Sequence, residues 1–267
     1  MLIAELRHLF HRTRIRVLLI VLFLLPVLLA VAVKVSSSGP GNGGGPAFVN
    51  RVADNGVFAA LAALTVAVTF FLPITVSVVA GDTISGEASL GTLRYLLTRP
   101  TGRVRLLGIK AASVVAYCLA AVGAIVAGGL ISGAILFPLG PVISLSGTTL
   151  SLGDGIARTL LAGLVVGLSM LGLAAIGMFA STLSDVPVGA MATTAGLVIL
   201  STILDNLPQV AWLHPWLFTN DWQSFADIMR TPMQWHGIGR NFLLQAAYVA
   251  VFGAAAWARF TTRDVLA

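Results

Sequence analysis

The chain has 267 residues, of which 57% are hydrophobic and 10% charged, and its mean hydropathy is +0.96. This composition excludes a water-soluble enzyme or binding domain, which would need a larger polar surface. The net charge of +6 does not indicate nucleic-acid binding, because the arginines stand beside apolar runs where anionic lipid headgroups attract them.

The first residues predict an amphipathic helix that lies on a membrane surface. Leu2, Leu6 and Leu9 recur at helical spacing, whereas Arg7 and His11 take the polar side. The apolar run that follows is longer than the core of a typical signal peptide, so we expect it to stay as a membrane span.

Six apolar runs are long enough to cross a bilayer as helices. At ~1.5 Å per residue, about 20 residues span a hydrocarbon core of ~30 Å. The absence of two-residue alternation favours helices over barrel strands. We therefore predict an all-α membrane protein that forms one transmembrane domain over residues 1–267, with spans at residues 17–33, 56–80, 111–137, 155–180, 186–204 and 241–258.

Proline and small residues inside these runs predict local features. Pro73 lacks an amide hydrogen and crowds the carbonyl of Thr69, so we expect a kink in the second span. Gly129 and Gly133 lie four residues apart in the third run. This spacing lets two helices approach closely, and we favour packing within the chain over a dimer face.

The polar segment between the second and third runs predicts a further helix. In a helix over Ile84–Leu97, the leucines Leu90, Leu93 and Leu97 share one face. The helix is expected to end before Pro100, which disfavours helical geometry in the residue that precedes it.

The last long loop, between Asp205 and Arg240, carries four tryptophans and three prolines. Indole rings favour the headgroup region of a bilayer. We therefore expect short broken helices along the outer leaflet.

The distribution of lysine and arginine predicts the orientation of the chain. Eleven of the sixteen basic residues fall in the N-terminal segment, the segment after the second run and the C-terminus, and five fall in the alternate loops. The basic side faces the cytoplasm in most membrane proteins. Both termini are thus expected to be cytoplasmic.

No Asp, Glu, Lys or His lies in the middle of a predicted span. Ion-coupled carriers usually need such groups, and intramembrane proteases need a motif such as HExxH, which is absent here. A pathway without fixed charge favours an apolar or amphipathic cargo. The candidate lining residues are Thr65, Thr69, Phe70, Phe71, Met191, Thr194 and Leu197. The histidines fall in terminal or loop segments, and we expect no metal site.

The segment GDTISGEASLGTLRYLLTRPTGRVRLLGIK resembles the corresponding segment of the ABC transporter type-2 permease family. The resemblance rests on Glu87, the triplet Gly91-Thr92-Leu93, the pair Leu96-Leu97, Pro100, Arg103 and Lys110. It extends to the whole chain through six spans, internal termini and a long last external loop.

The resemblance implies a coupling helix that docks on a separate ATP-binding cassette ATPase. The residues implied in that contact are Asp82, Glu87, Gly91, Thr92, Arg94 and Arg103. In similar permeases the N-terminal helix forms an elbow and a re-entrant hairpin occupies the last external loop. The expected assembly has two ATPase copies and a second permease subunit in a bacterial cytoplasmic membrane.

The chain has no phosphate loop, and its two lysines, Lys34 and Lys110, stand outside any GxxxxGK[ST] motif. We therefore expect no enzyme activity and no cofactor in this chain, with ATP and Mg bound by the partner ATPase. The predicted function is the permease subunit of an exporter of drug-like or lipid-like compounds, as in multidrug efflux. The alternatives are a non-transporting membrane scaffold and an energy-independent lipid scramblase or channel.

Overall fold

Helices make up most of the structure, a computed structural model that describes residues 2–37, 52, 55–89, 91 and 102–262. A short surface helix, α1, precedes six longer helices. The helices are α1 Leu2–His11, α2 Thr13–Ser37, α3 Val57–Ser89, α4 Arg103–Leu136, α5 Leu152–Leu183, α6 Pro187–Asp205 and α7 His236–Thr262.

Within the described residues, helices α2 to α7 are the six that are long and apolar enough to cross a membrane. Each predicted span lies mainly within one of them, as expected for an all-α multi-pass membrane protein. Helices α3 and α4 extend beyond the predicted spans, since residues 81–89 and 103–110 of the polar segment between those spans continue the two helices. Charged side chains in these two extensions pair with one another, as described below, so both helices continue without leaving a buried charge unpaired.

Helix α4 packs closely against α3 through small residues. A Cβ atom added at Gly129 or Gly133 would overlap the backbone of Ala60 or Gly56 on α3. The predicted packing of these glycines within the chain is confirmed. Close contact of two backbones stabilises helix pairs by dispersion forces, which remain available in lipid.

A π-helical turn lies directly before Pro73, the residue at which a kink is predicted. Helix α3 is α-helical over Val57–Val66, widens over Ala67–Phe71, and is α-helical again over Leu72–Ser89. A proline cannot donate the hydrogen bond that the carbonyl four residues earlier would accept, and an inserted residue relieves that mismatch. Helix α5 is also interrupted once, by a turn at Met170 between its two α-helical parts, Leu152–Ser169 and Leu171–Leu183.

The loops at one end of the bundle contain short ordered elements. Strands β1 (Val142–Ile143) and β2 (Thr149–Leu150) pair antiparallel, which the sequence did not predict. The last long loop forms three 3₁₀ helices, Pro208–Val210, His214–Trp216 and Trp222–Met229. The prediction of short broken helices is confirmed, whereas their position along an outer leaflet stays a prediction.

These loops are tied to the bundle by hydrogen bonds from polar side chains on α5 and α7. Arg158 on α5 donates to the carbonyls of Ile228 and Arg230 at 3.1 and 2.9 Å. Gln245 on α7 donates to the carbonyl of Phe218 at 2.9 Å. The opposite end of the bundle carries α1 and the facing ends of α3 and α4, and it holds the candidate site.

Candidate functional site

Six charged side chains gather at one end of the bundle, and we call them the charge cluster. They come from α1, the α1–α2 junction, the end of α3 and the start of α4. The charge cluster consists of Glu5, Arg12, Arg14, Asp82, Glu87 and Lys110. Its three acids and three bases balance in formal charge.

Lys110 lies at the centre of the buried half of the cluster. Its Nζ donates to Glu5 Oε1 at 2.7 Å and to Glu87 Oε1. Lys110 is 4% exposed and Glu87 is 8% exposed. Charges that are this buried are tolerated only when they are paired. The pairing therefore fixes α1, the last turns of α3 and the first turns of α4 relative to one another.

Asp82 forms the more exposed half of the cluster. Its Oδ2 accepts from Arg12 Nη1 at 3.1 Å and from Arg14 Nη2 at 3.0 Å. Gly86 lies one turn further along α3, where a Cβ would come within 2.6 Å of the Asp82 carboxylate. A glycine at this position leaves the carboxylate room to face both arginines, which stand where the chain passes from α1 to α2.

The segment that carries the predicted coupling helix differs from the prediction. Residues 84–89 continue α3 instead of starting a separate surface helix, because Ser181 on α5 accepts the amide hydrogens of Ile84 and Ser85 and Glu87 pairs with Lys110. Gly91 has a φ of +67°, which interrupts helical geometry. A single helix over Ile84–Leu97 is therefore wrong at its start and at Gly91.

The predicted coupling residues have different surroundings. Asp82 and Glu87 belong to the charge cluster, and Gly91 is exposed just beyond the end of α3. Arg103 begins α4 and donates to the carbonyl of Thr261 on α7 at 3.0 Å. Thr92 and Arg94 lie outside the described residues. Contact of any of these residues with an ATPase stays a prediction.

Sequence reasoning missed the role of Glu5, Arg12, Arg14 and Lys110 in this site. A signal was present, because Glu5 is the only acidic residue before Asp54 and Lys110 is one of two lysines in the chain. Isolated charges beside apolar runs need partners. Which acid meets which base depends on how the helices pack, and spacing along the chain does not reveal it.

A second feature is a groove between α3 and α6, which we call the α3/α6 groove. It encloses about 370 Å³. Its lining is apolar apart from the hydroxyls of Thr69 and Thr202. Gln223 from the third 3₁₀ helix contacts the Thr69 hydroxyl at 3.3 Å. The groove therefore starts at the π turn of α3, next to the long loop.

The structure brings only part of the predicted pathway to this groove. Of the seven predicted residues, Thr69 and Phe70 line it. Thr194 is fully buried and packs against Gly177. Met191 lies against Gly81, close to the charge cluster.

The remaining three predicted residues stand apart from the groove lining. The Thr65 hydroxyl donates to the carbonyl of Leu61, which satisfies it within α3. Phe71 and Leu197 are about equally exposed, at 37% and 38%. The seven residues thus do not form one continuous surface.

Within the described ranges, no three His, Cys, Asp or Glu side chains are arranged to hold a metal ion. His8 contacts the charge cluster through an arginine, since its Nε2 lies 3.1 Å from Arg12 Nη2. The site therefore offers ion pairs and an apolar groove, which are suited to conformational coupling and amphipathic ligands.

A family described as "Protein of unknown function (DUF2705)" matches the chain over residues 17–266. The match covers α2 from residue 17 on and all of α3 to α7. No curated protein matches the chain.

Proposed function

The chain belongs to the DUF2705 family, and we propose that it is the membrane-spanning permease subunit of an ATP-driven exporter. In this proposal a separate ATPase supplies the energy. The cargo is an apolar or amphipathic compound, drug-like or lipid-like. The resemblance of residues 81–110 to type-2 permeases of ABC transporters supports the proposal.

The observation that carries the proposal is the charge cluster. Lys110 joins α1, α3 and α4 through Glu5 and Glu87. Residues 90–101 connect α3 to α4 at this end of the bundle, so a force on that connection reaches both helices. A coupling device needs such a rigid base, because a flexible one would absorb the movement.

The proposed mechanism transmits that movement along α3. The charge cluster lies at one end of this helix, and the π turn and Thr69 lie beyond its middle, in the α3/α6 groove. Closure of the ATPase pair on ATP would tilt the ends of α3 and α4, and the π turn would act as the hinge. Shifting such a two-state equilibrium from 1:99 to 99:1 takes ~5.5 kcal/mol of differential binding.

The nature of the cargo follows from the α3/α6 groove. Apolar side chains with two hydroxyls suit an amphipathic molecule better than an ion. Export is the direction that the family resemblance implies.

The proposed assembly contains two ATPase copies and a second permease subunit, which is either another copy of this chain or a related one. It resides in the bacterial cytoplasmic membrane, with ATP and Mg on the ATPase.

The test begins with affinity purification of the full chain from its native membrane in mild detergent. We expect a protein with a phosphate-loop motif to copurify. After reconstitution into liposomes, the complex should transport a fluorescent amphipathic compound only with ATP. The chain alone should transport none.

Two results would contradict the proposal. Transport by the chain alone, without nucleotide, would indicate a scramblase or channel. A chain that never binds an ATPase and transports nothing would indicate a scaffold. Glu87→Lys is the diagnostic variant, because it should abolish ATP-dependent transport while membrane insertion persists, and Asp227→Asn at the opposite end is its matched control.

A further inference from the structure

A second groove lies between α4, the second half of α5 and α7, and we call it the α4/α5/α7 groove. It encloses about 310 Å³ and is lined only by apolar residues and glycines. None of its lining residues lies in the α3/α6 groove or in the charge cluster. It is therefore separate from the proposed transport route.

Two glycines keep this groove open. A Cβ added at Gly108 on α4 or at Gly253 on α7 would meet no atom within 4 Å. Val104 and Trp257 flank the groove and are 57% and 50% exposed. The surface is thus concave, and its open side faces outward from the bundle.

Three arginines lie in the terminal turns of α4 and α7, at one end of the groove. Arg103 Nη1 donates to the carbonyl of Thr261 at 3.0 Å, so this side chain crosses from α4 to α7 at the end of the groove. Arg105 and Arg259 are exposed, and they follow Val104 and Trp257, which line the groove, by one and two residues in the sequence. No Asp or Glu occurs in the helical segments that form the groove, residues 103–136, 171–183 and 236–262.

From these observations we infer that the α4/α5/α7 groove is a binding site for an anionic phospholipid. One acyl chain occupies the groove, and the phosphate lies between Arg105 and Arg259. The apolar lining surrounds this acyl chain on several sides and separates it from other lipids. The arginines favour a net negative headgroup, because the three helical segments of the groove carry no Asp or Glu, and Trp257 is typical of the depth at which headgroups begin.

The occupant is distinguished from bulk lipid by charge selectivity. Any apolar helix face is covered by acyl chains, irrespective of the headgroup. A phosphatidylcholine headgroup carries an ammonium that the two arginines repel, whereas phosphatidylglycerol carries only the phosphate charge. We expect phosphatidylglycerol to bind about tenfold more tightly than phosphatidylcholine with the same acyl chains. This inference does not depend on the proposed transport function.

The test is a lipid titration of the full-length, delipidated chain in detergent, followed by native mass spectrometry. The double variant Gly108→Leu with Gly253→Leu fills the groove and should lose the tight phosphatidylglycerol binding. Gly123→Leu is the matched control, because Gly123 lies on α4 outside the groove and also has open space around its Cβ position. It should bind as the wild type does.

A second pair of variants tests the headgroup contact without changing the groove. Arg105→Gln with Arg259→Gln should reduce the tenfold preference to about twofold or less and leave phosphatidylcholine binding unchanged. Arg7→Gln, an exposed arginine on α1, should keep the preference. Inorganic phosphate at the lipid concentration should not compete.

Equal affinity of the wild type for the two lipids would overturn the inference. So would an unchanged preference in the arginine pair, even where the glycine pair fails to fold. Competition by inorganic phosphate alone would show that the arginines form an anion site that needs no acyl chain, and it would also overturn the inference.

Discussion

Lys110 shows how one residue joins three helices. Its ammonium is almost fully buried and is shared by two carboxylates from different elements. Replacing a buried pair by apolar residues of similar size is often tolerated, whereas removing one partner leaves a buried charge without its counterion. The same lysine on a helix surface would contribute little.

Lys110→Met is expected to destabilise the chain by about 3–5 kcal/mol, because the Glu87 carboxylate stays buried without its lysine. Thermal unfolding in detergent measures this loss. Adding Glu87→Leu to Lys110→Met should restore most of the stability, since the buried charge is then removed as well.

The control for this pair is Arg230→Gln. Arg230 and Asp227 form a more exposed ion pair within the long loop, so the change should cost under about 1 kcal/mol. An equal loss in Lys110→Met and Arg230→Gln would show that the Lys110 pairing does not hold the three helices together.

At the scale of the helices, α3 and α4 approach one another without side chains between them. Gly133 lies directly on Gly56, and Gly129 lies on Ala60. Helix pairs of this kind gain dispersion energy from backbone contact, and any added side chain separates them.

Gly133→Leu is therefore expected to prevent stable packing of α4 on α3 and to lower the yield of folded protein several-fold. Gly123→Leu, on the same helix with open space at its Cβ, should be neutral. Size-exclusion chromatography of a fluorescent fusion measures both. Equal yields from the two variants would contradict the packing described here.

Helix α7 holds the long loop through a second buried contact. Gln245 donates to the Phe218 carbonyl at 2.9 Å and to Asn241 Oδ1 at 3.1 Å, and Asn241 in turn donates to Ser169. The amide of Gln245 thereby connects the loop to α5 as well.

Gln245→Leu should loosen the loop over residues 206–235, because the Phe218 carbonyl loses its donor. We expect faster amide hydrogen exchange in that segment and no change in α2. Gln234→Leu, an exposed position in the same loop, is the control. Unchanged exchange in Gln245→Leu would show that the contact is dispensable.

The molecule as a whole has two chemically different ends. One end carries the charge cluster, and the other carries the β ribbon and the 3₁₀ helices. The basic residues predict that the charge cluster faces the cytoplasm. This sidedness is required by the proposed function, because ATP is available on that side.

Thiol labelling tests the orientation directly. The native Cys118 is fully buried, so the wild type should not react. In intact cells, an impermeant maleimide should label Gly140→Cys, in the loop between α4 and α5. It should label Gly102→Cys, at the start of α4, only after lysis. The reverse pattern would contradict the predicted orientation and the exporter proposal together.

The sequence by itself determined that the chain forms six helices long and apolar enough to cross a membrane. Hydropathy over about 20 residues is a local property, and a continuous apolar run of that length satisfies its backbone in lipid by forming a helix. An irregularity near Pro73 and the short helices after Asp205 were also predictable, because each depends on residues near one another in the chain. The spacing of Gly129 and Gly133 predicted a close helix contact, but their partners Ala60 and Gly56 are distant in the chain and only the structure identified them.

Only the tertiary structure decided where α3 ends and which charges meet. Glu87 was expected in a separate surface helix and Lys110 in the polar stretch before the third span, yet both lie in helices that continue past the predicted spans, where they pair. The partners Glu5 and Lys110 lie 105 residues apart, so local patterns carry no information about their contact. Ion pairs form between residues that are close in space, so the tertiary structure is needed to identify them. Hydropathy is a property of residues that follow one another in the chain, so the sequence is sufficient to read it.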